Sequence, residues 1–529
     1  MASNEASWLR TDLAAAMFLA RSIFGDGADL LQERHLVGIS SFILLLPPST
    51  TLTTARATAA ATLPPSVQWP AITASTPKRP AFTCAISALG PQLGLQEVTL
   101  GSTNSDHRED RENRLETHSE EAEASAMSAA APLSHSQAGR LWAALLAATL
   151  LNLPLGSVYS FSVLLRPLEQ ELGVSRSALS LVFGLATAGF TVGSVAAAFL
   201  YRVAPAPVLI LASALVAAGG VAVAATASGL AQLLLGYSTV FGTGGGVAYI
   251  LTQQGVNMLV QRRRGLVNGY IVSLYPMGAM IATPLFHACN EAFGWRTTLG
   301  GLAAVLLTFG TAAALLAWYS GARLVAPLET TSDKGAGRVP ERPAVLGLTF
   351  YKLSATFFLA ASAGLMVLSQ AREIVATYGG ATALAVAATT VLTGAIAAAR
   401  IAGGWLVDRF SVPRVMCAAH ALALCGVALL TLFPAPVTAV LGLGMIGVGY
   451  GFVSGSTAGG IGIYWPPTDY GRIAGRTYIA WCLAAISLPV LAGHLFDLTH
   501  SYVTAVLIAG CANVLGMATA LTIPKRGRR

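Results

Sequence analysis

Arg400 is the residue whose chemistry most constrains this chain. It lies in the run 391–416, VLTGAIAAARIAGGWLVDRFSVPRVM, where every neighbour within a helical turn is apolar or small. A guanidinium at the centre of a membrane-crossing helix costs from roughly 3 to roughly 15 kcal/mol, so it persists only where it faces a protein interior or a water-filled cavity. At about 1.5 Å of rise per residue, Arg400 sits roughly 12 Å deeper along the helix than Asp408. That is too deep for its side chain to reach the interface easily. A planar guanidinium grips a carboxylate through two parallel N–H donors, which suits a dry site better than a lysine point charge does. The alternative is that Arg400 neutralises helix C-terminal carbonyls or pairs with a buried acid. Since no Asp or Glu stands in the middle of any apolar run, the pairing is disfavoured and a carboxylate-bearing solute is the reading we carry forward.

Other residues carry weaker signals. Tyr159 and Tyr249 fall mid-span, where their rings could cradle the apolar body of a solute and their hydroxyls orient its oxygens; core packing explains either equally well. His420 and His494 could relay protons, but a hydrogen-bonded packing role is the expectation. Gly242, Gly244, Gly245 and Gly246 lie in an apolar stretch with no flanking strand, so close helix packing is preferred to a phosphate loop. Lys352 is expected to snorkel. The six cysteines, Cys84, Cys289, Cys417, Cys425, Cys482 and Cys511, form no CxxC pair, and neither zinc site nor disulfide framework is indicated. With no paired carboxylates, metal cluster or nucleophile motif, an enzyme is disfavoured. No catalytic residue, cofactor or metal is expected.

These residues need a scaffold, and composition says which. Of 529 residues, 54% are hydrophobic and 11% charged, against about 25% charged in an ordinary soluble protein, and mean hydropathy is +0.64. The chain therefore reads as a polytopic membrane protein with the lipid bilayer as its solvent. Its net charge of +8 does not point to nucleic acid, because the basic residues sit in short loops between apolar runs rather than along one soluble face.

A helix needs about 20 residues to cross. Stretches free of acidic and basic residues give single spans at 141–165 and 177–201, a double run at 203–261, and single spans at 265–290 and 297–322. After a polar linker at 323–345 the order repeats: single runs at 344–371 and 375–407, interrupted by Lys352 and Arg400, a double run at 415–468, and single runs at 477–496 and 498–524. Residues also echo at an offset of about 206 to 208: Leu200 with Leu406, Pro207 with Pro413, Arg264 with Arg472, Tyr270 with Tyr478. The fold class expected is an all-α membrane protein of twelve transmembrane helices in two pseudo-symmetric six-helix halves, 140–322 and 346–524, with a solute site at their interface. Residues 525–529 form a basic tail. Residues 1–139, with an Ala/Thr/Pro-rich stretch and a mixed-charge run, read as a disordered extension, with targeting as the alternative. The Lys and Arg bias toward one set of loops puts both termini in the cytosol by the positive-inside rule.

The turn Gly404-Trp405-Leu406-Val407-Asp408-Arg409, followed by Arg414, resembles the G-x-L-x-D-R loop of the major facilitator superfamily. There the Asp pairs with a neighbouring helix end and gates the cytosolic side, which implies a gating set of Gly404, Asp408, Arg409 and Arg414. The first-half counterpart, Leu200-Tyr201-Arg202 to Pro207, lacks the Asp. Residues 155–163, LGSVYSFSV, residues 262–269, RRRGLVNG, and Gly294-Trp295-Arg296 are similar to the oxalate/formate antiporter and monocarboxylate transporter group. That resemblance implies a substrate-carboxylate role for Arg400. It also implies that Trp481 stands where oxalate antiporters have a second cation, favouring a monocarboxylate, and that Ile396 stands where proton-coupled carriers have an acid, favouring antiport or facilitated diffusion. The expected partner is thus a small organic anion moved by alternating access, and a monomer accommodates the pattern. A carrier of a neutral solute or drug, and a transport-dead receptor or scaffold, are the alternatives. Because residues 1–130 hold neither a spanning run nor an apolar core, deleting them should leave insertion and uptake intact. Loss of uptake by a truncated protein that reaches the same membrane would contradict this.

Overall fold

The computed structural model describes residues 135–325 and 346–525. Residues 1–134 of the proposed extension, most of the linker 323–345 and residues 526–529 of the basic tail lie outside the described residues, while residues 135–139 open the first helix. All regular structure described is helical. We number the spans α1 His135–Leu172, α2 Arg176–Leu200, α3 Ala206–Ala225, α4 Leu230–Asn257, α5 264–293, α6 295–320, α7 Leu348–Thr377, α8 Thr382–Val407, α9 Val412–Leu432, α10 Pro436–Tyr464, α11 Pro467–Thr499 and α12 Val503–Leu521.

α5 and α6 follow one another as a 57-residue helical run, which if straight would be about 85 Å long, far more than a bilayer some 30 Å thick. The run breaks at Gly294, whose φ of 79° and ψ of 164° leave the helical region. Glycine tolerates that φ because it has no Cβ. The chain reverses there, and the twelve expected crossings are recovered among the described residues. Helix starts follow ordinary rules: Ser175 accepts a hydrogen bond from Ala178 N at the head of α2, and prolines occupy the first turns of α3, α9 and α10, where a missing N–H costs nothing.

Small residues determine how closely the helices approach. In the first half, α4 rests Gly242 and Gly246 on the backbone of α2 at Ala186 and Phe190, so these glycines serve packing. In the second half, Gly451 and Gly455 of α10 lie on the backbone of α8. The halves meet along two seams. Gly265 and Gly269 of α5 lie against Gly404 and the Arg400 carbonyl of α8, and Gly475 of α11 lies against Ser194 of α2. Both seams run toward the end of the bundle that carries Arg202, Arg262, Arg263, Arg264, Arg409, Arg414, Arg472 and Arg476, which we call the basic end.

Lys352 donates to the Thr522 carbonyl at the end of α12 (2.9 Å) from an exposed position, as a snorkelling lysine should. A methyl group on Gly455 would press on the Arg400 carbonyl, whereas one on Gly444 of the same helix meets nothing within 4 Å. Gly455→Ala is therefore expected to destabilise the solubilised protein by about 1–3 kcal/mol, read as a lowered melting temperature. Gly444→Ala should melt as the wild type does, and equal melting of the two variants would contradict the close packing of α10 on α8.

Candidate functional site

Arg400 is 7% exposed on α8. One guanidinium nitrogen, Nη1, donates to the Val272 carbonyl of α5 at 2.8 Å, and Nη2 donates to the Tyr450 hydroxyl of α10 at 2.9 Å. Nε is buried with no partner. The Val272 carbonyl is free to accept for a covalent reason: four residues later stands Pro276, which has no N–H to close the helical bond. A proline in α5 thus presents a backbone acceptor across the interface to the buried cation.

Beside Arg400 lies a narrow cavity with about 40 Å³ of room for the centres of water-sized groups. It is walled by residues of both halves, and Tyr159, Tyr249, Arg400 and Trp481 all line it. The four sequence candidates are brought to one place. Trp481 Nε1 donates to the Tyr450 hydroxyl (3.2 Å), so this oxygen accepts from both Arg400 and Trp481 and keeps its own hydrogen for another acceptor. Tyr249 and Tyr478 share a hydroxyl–hydroxyl hydrogen bond at 2.5 Å, which joins α4 to α11. Tyr159 faces Trp481 edge-on, with centroids 6.4 Å apart, and is in electrostatic contact with Arg400. Phe190, Phe241, Tyr275 and Phe357 complete the aromatic wall, and no Asp or Glu is among the lining residues. Ile396 is buried one turn before Arg400, packed beside Gly447 of α10.

The basic end is tied shut from both halves. Asp408 at the end of α8 accepts from Gly265 N and Leu266 N at the start of α5, both at 2.8 Å. A carboxylate there meets the free N–H groups and positive pole of the helix. Burial pushes the Asp408 carboxyl above the ordinary carboxylate value, against the pull of the two N–H donors and of Arg263 and Arg409. Gly404 lets α8 approach α5. Arg409 lies over the Trp405 ring at 3.9 Å, and both Arg409 and Arg414 are exposed at the mouth of a wide opening on this end. On the first-half side, where the sequence lacks the acid, Gln254 of α4 accepts from Gly471 N of α11 (2.7 Å) and donates to the Pro467 carbonyl (3.0 Å). The Tyr201 hydroxyl lies against Gly471 as well.

A protein-family model described as Major Facilitator Superfamily matches residues 145–489, more than half of the chain. This chain belongs to the major facilitator superfamily. The chain is 24% identical over 302 residues to the uncharacterized MFS-type transporter YhjX of Escherichia coli (strain K12), which covers 55% of this chain and 72% of that protein. In fold it is similar to the proton:xylose symporter XylE, with a TM-score of 0.58 at 15% identity, covering 74% of this chain and 97% of that one. It is also similar to FucP in its outward conformation, with a TM-score of 0.56 at 14% identity, covering 73% and 100%. It is accordingly a multi-pass integral membrane transporter and not an enzyme.

The transporter's Tyr450 and Gln254 escaped the sequence reading. An aromatic ring or a neutral amide in an apolar run looks like packing, and only the flanking Gly449 and Gly451 hinted that Tyr450 is held at close range. Gly294-Trp295-Arg296 proves to be a tie at the opposite end: Trp295 Nε1 and Arg296 Nε both donate to Glu171 of α1, at 2.5 and 2.9 Å. His420 is buried with Nδ1 2.9 Å from Asn513 Oδ1, a packing role. His494 is exposed, which corrects the expectation of packing for it. Asp408→Asn keeps one acceptor for two N–H donors, so it should leave substrate binding unchanged and slow exchange several-fold, because the loosened basic end lingers open. Equilibrium binding measured beside exchange rates checks this, and lost binding with normal turnover would contradict it.

Proposed function

We propose that this carrier moves a small organic anion with a single carboxylate, by alternating access and in exchange for another such anion. The observation that carries the reading is Arg400, a permanent cation in the wall of an aromatic cavity between the halves, with no facing acid among the lining residues. A carboxylate would neutralise it through two parallel bonds. The Tyr450 hydroxyl hydrogen and the unpartnered Arg400 Nε are further donors for its oxygens, and the rings of Tyr159, Tyr249 and Trp481 suit an apolar body.

A monocarboxylate is favoured over a dicarboxylate because the cavity has one cation, and Trp481 stands where a second would be. Exchange is favoured over proton symport because Ile396 fills the place of the proton-carrying acid and His420 is committed to Asn513. These features suit the oxalate/formate antiporter and monocarboxylate transporter group. In this reading the basic end faces the cytosol, with Gly404, Asp408, Arg409 and Arg414 as its gate. One chain contains both walls of the cavity, so a monomer suffices. A neutral solute is the second reading, favoured by the aromatic walls, since a sugar ring also stacks on such surfaces; XylE is a proton:xylose symporter and FucP a fucose:proton symporter.

Counterflow in proteoliposomes separates the two. Labelled monocarboxylates should accumulate against unlabelled acid, with strong trans-stimulation and little uphill uptake from a proton gradient alone. Arg400→Lys should retain weak transport and Arg400→Ala none. Uptake of xylose or fucose that survives Arg400→Ala would overturn the reading, and robust proton-driven accumulation of the acid would overturn the exchange mode.

A further inference from the structure

The bond from Arg400 to the Val272 carbonyl joins the second half to the first at the substrate cavity. Toward the basic end the same two helices continue in backbone contact, Gly269 and Gly265 on Gly404, and finish in the Asp408 clamp on the start of α5. Arg400–Val272 is therefore the cavity end of the α5–α8 seam. It exists because Pro276 withholds the N–H that would otherwise occupy Val272.

A substrate carboxylate competes for the same guanidinium. Its oxygens carry a full negative charge, so with the guanidinium they form an ion pair through two parallel bonds, stronger than the ion–dipole bond to an uncharged carbonyl, and an arriving anion draws Arg400 away from Val272. We propose that Pro276 is a positioning residue that couples loading to gating. In the empty carrier the Val272 carbonyl holds Arg400 and keeps the basic end closed, and a bound carboxylate releases that tie. This rests on the carboxylate reading above and adds to it a structural reason for exchange: the unloaded protein resists opening at the basic end, and the loaded one opens. A ligand shifts the conformational balance only through contacts that differ between the two states, and the displaced Arg400–Val272 bond is such a contact.

The test uses full-length protein with Pro276→Ala and, separately, Pro276→Gly. Both supply the missing N–H to Val272, one in a straight helix and one in a flexible helix, so agreement between them excludes a mere change of kink. Pro284→Ala, which removes the other proline of α5 without supplying an N–H to the carbonyl that Arg400 uses, is the control. The first readout needs no substrate. A cysteine at Ala458, in the narrow space between Val272 and the basic end, is labelled with a maleimide from the basic side in the empty protein, with labelling of the same variant lacking that cysteine subtracted. Both Pro276 variants should label several-fold faster than wild type, and Pro284→Ala at the wild-type rate. The second readout is the trans-stimulation ratio for a monocarboxylate that the wild type exchanges, which should fall several-fold toward one in the Pro276 variants with binding retained. Labelling unchanged from wild type in both Pro276 variants overturns the proposal whatever the transport shows. Wild-type protein that exchanges no carboxylate overturns the substrate reading, and the labelling arm then still decides whether Pro276 sets the tie.

Discussion

A guanidinium buried in an apolar bundle must be answered by acceptors, and much of the arrangement at the centre of this carrier follows from that demand. Leaving it unanswered would cost several kcal/mol. The acceptors found are a tyrosine hydroxyl and a backbone carbonyl, both neutral. Neither matches a carboxylate in strength, and one donor nitrogen is left over. The guanidinium is thus answered well enough to fold, with one donor left for a further partner. A buried acid in place of Val272 would make a more stable ion pair and a poorer receptor for an anion.

The two seams at the basic end solve one mechanical problem with different chemistry. The α5–α8 seam ends in a carboxylate on two backbone N–H groups, whereas the α4–α11 contact uses the neutral amide of Gln254 on Gly471 and Pro467. Both exploit the uncapped start of a helix in the opposite half, where N–H groups lack intrahelical partners. Glycines at both seams bring backbones together, so that separating the halves breaks many small contacts at once.

The architecture was legible because charge is so unfavourable in lipid: the runs free of acidic and basic residues located the crossings, and the repeat of single and double runs located the halves. Arg400 was legible for the same reason, as a polar exception in apolar surroundings, whereas Asp408, in a polar turn, was legible through its resemblance to the G-x-L-x-D-R loop. Tyr450 was not, since an aromatic residue in a span has the signature of ordinary packing. The Val272 acceptor was hidden more deeply, because it belongs to the backbone and meets an arginine 128 positions away. Pro276 inside an apolar run was its one outward sign. Gln254 replaces an acid that the repeat led one to look for near Arg202, in a neighbouring helix where no internal comparison points.

The central claim is that one carboxylate takes Arg400 from its neutral partners. A structure of the full-length protein in lipid, determined with a saturating monocarboxylate that it exchanges, tests this most directly. The account predicts the carboxylate within hydrogen-bond distance of the Arg400 guanidinium and the Arg400–Val272 bond broken. Arg400 still bound to both Val272 and Tyr450, with the ligand lodged elsewhere in the cavity, would contradict it.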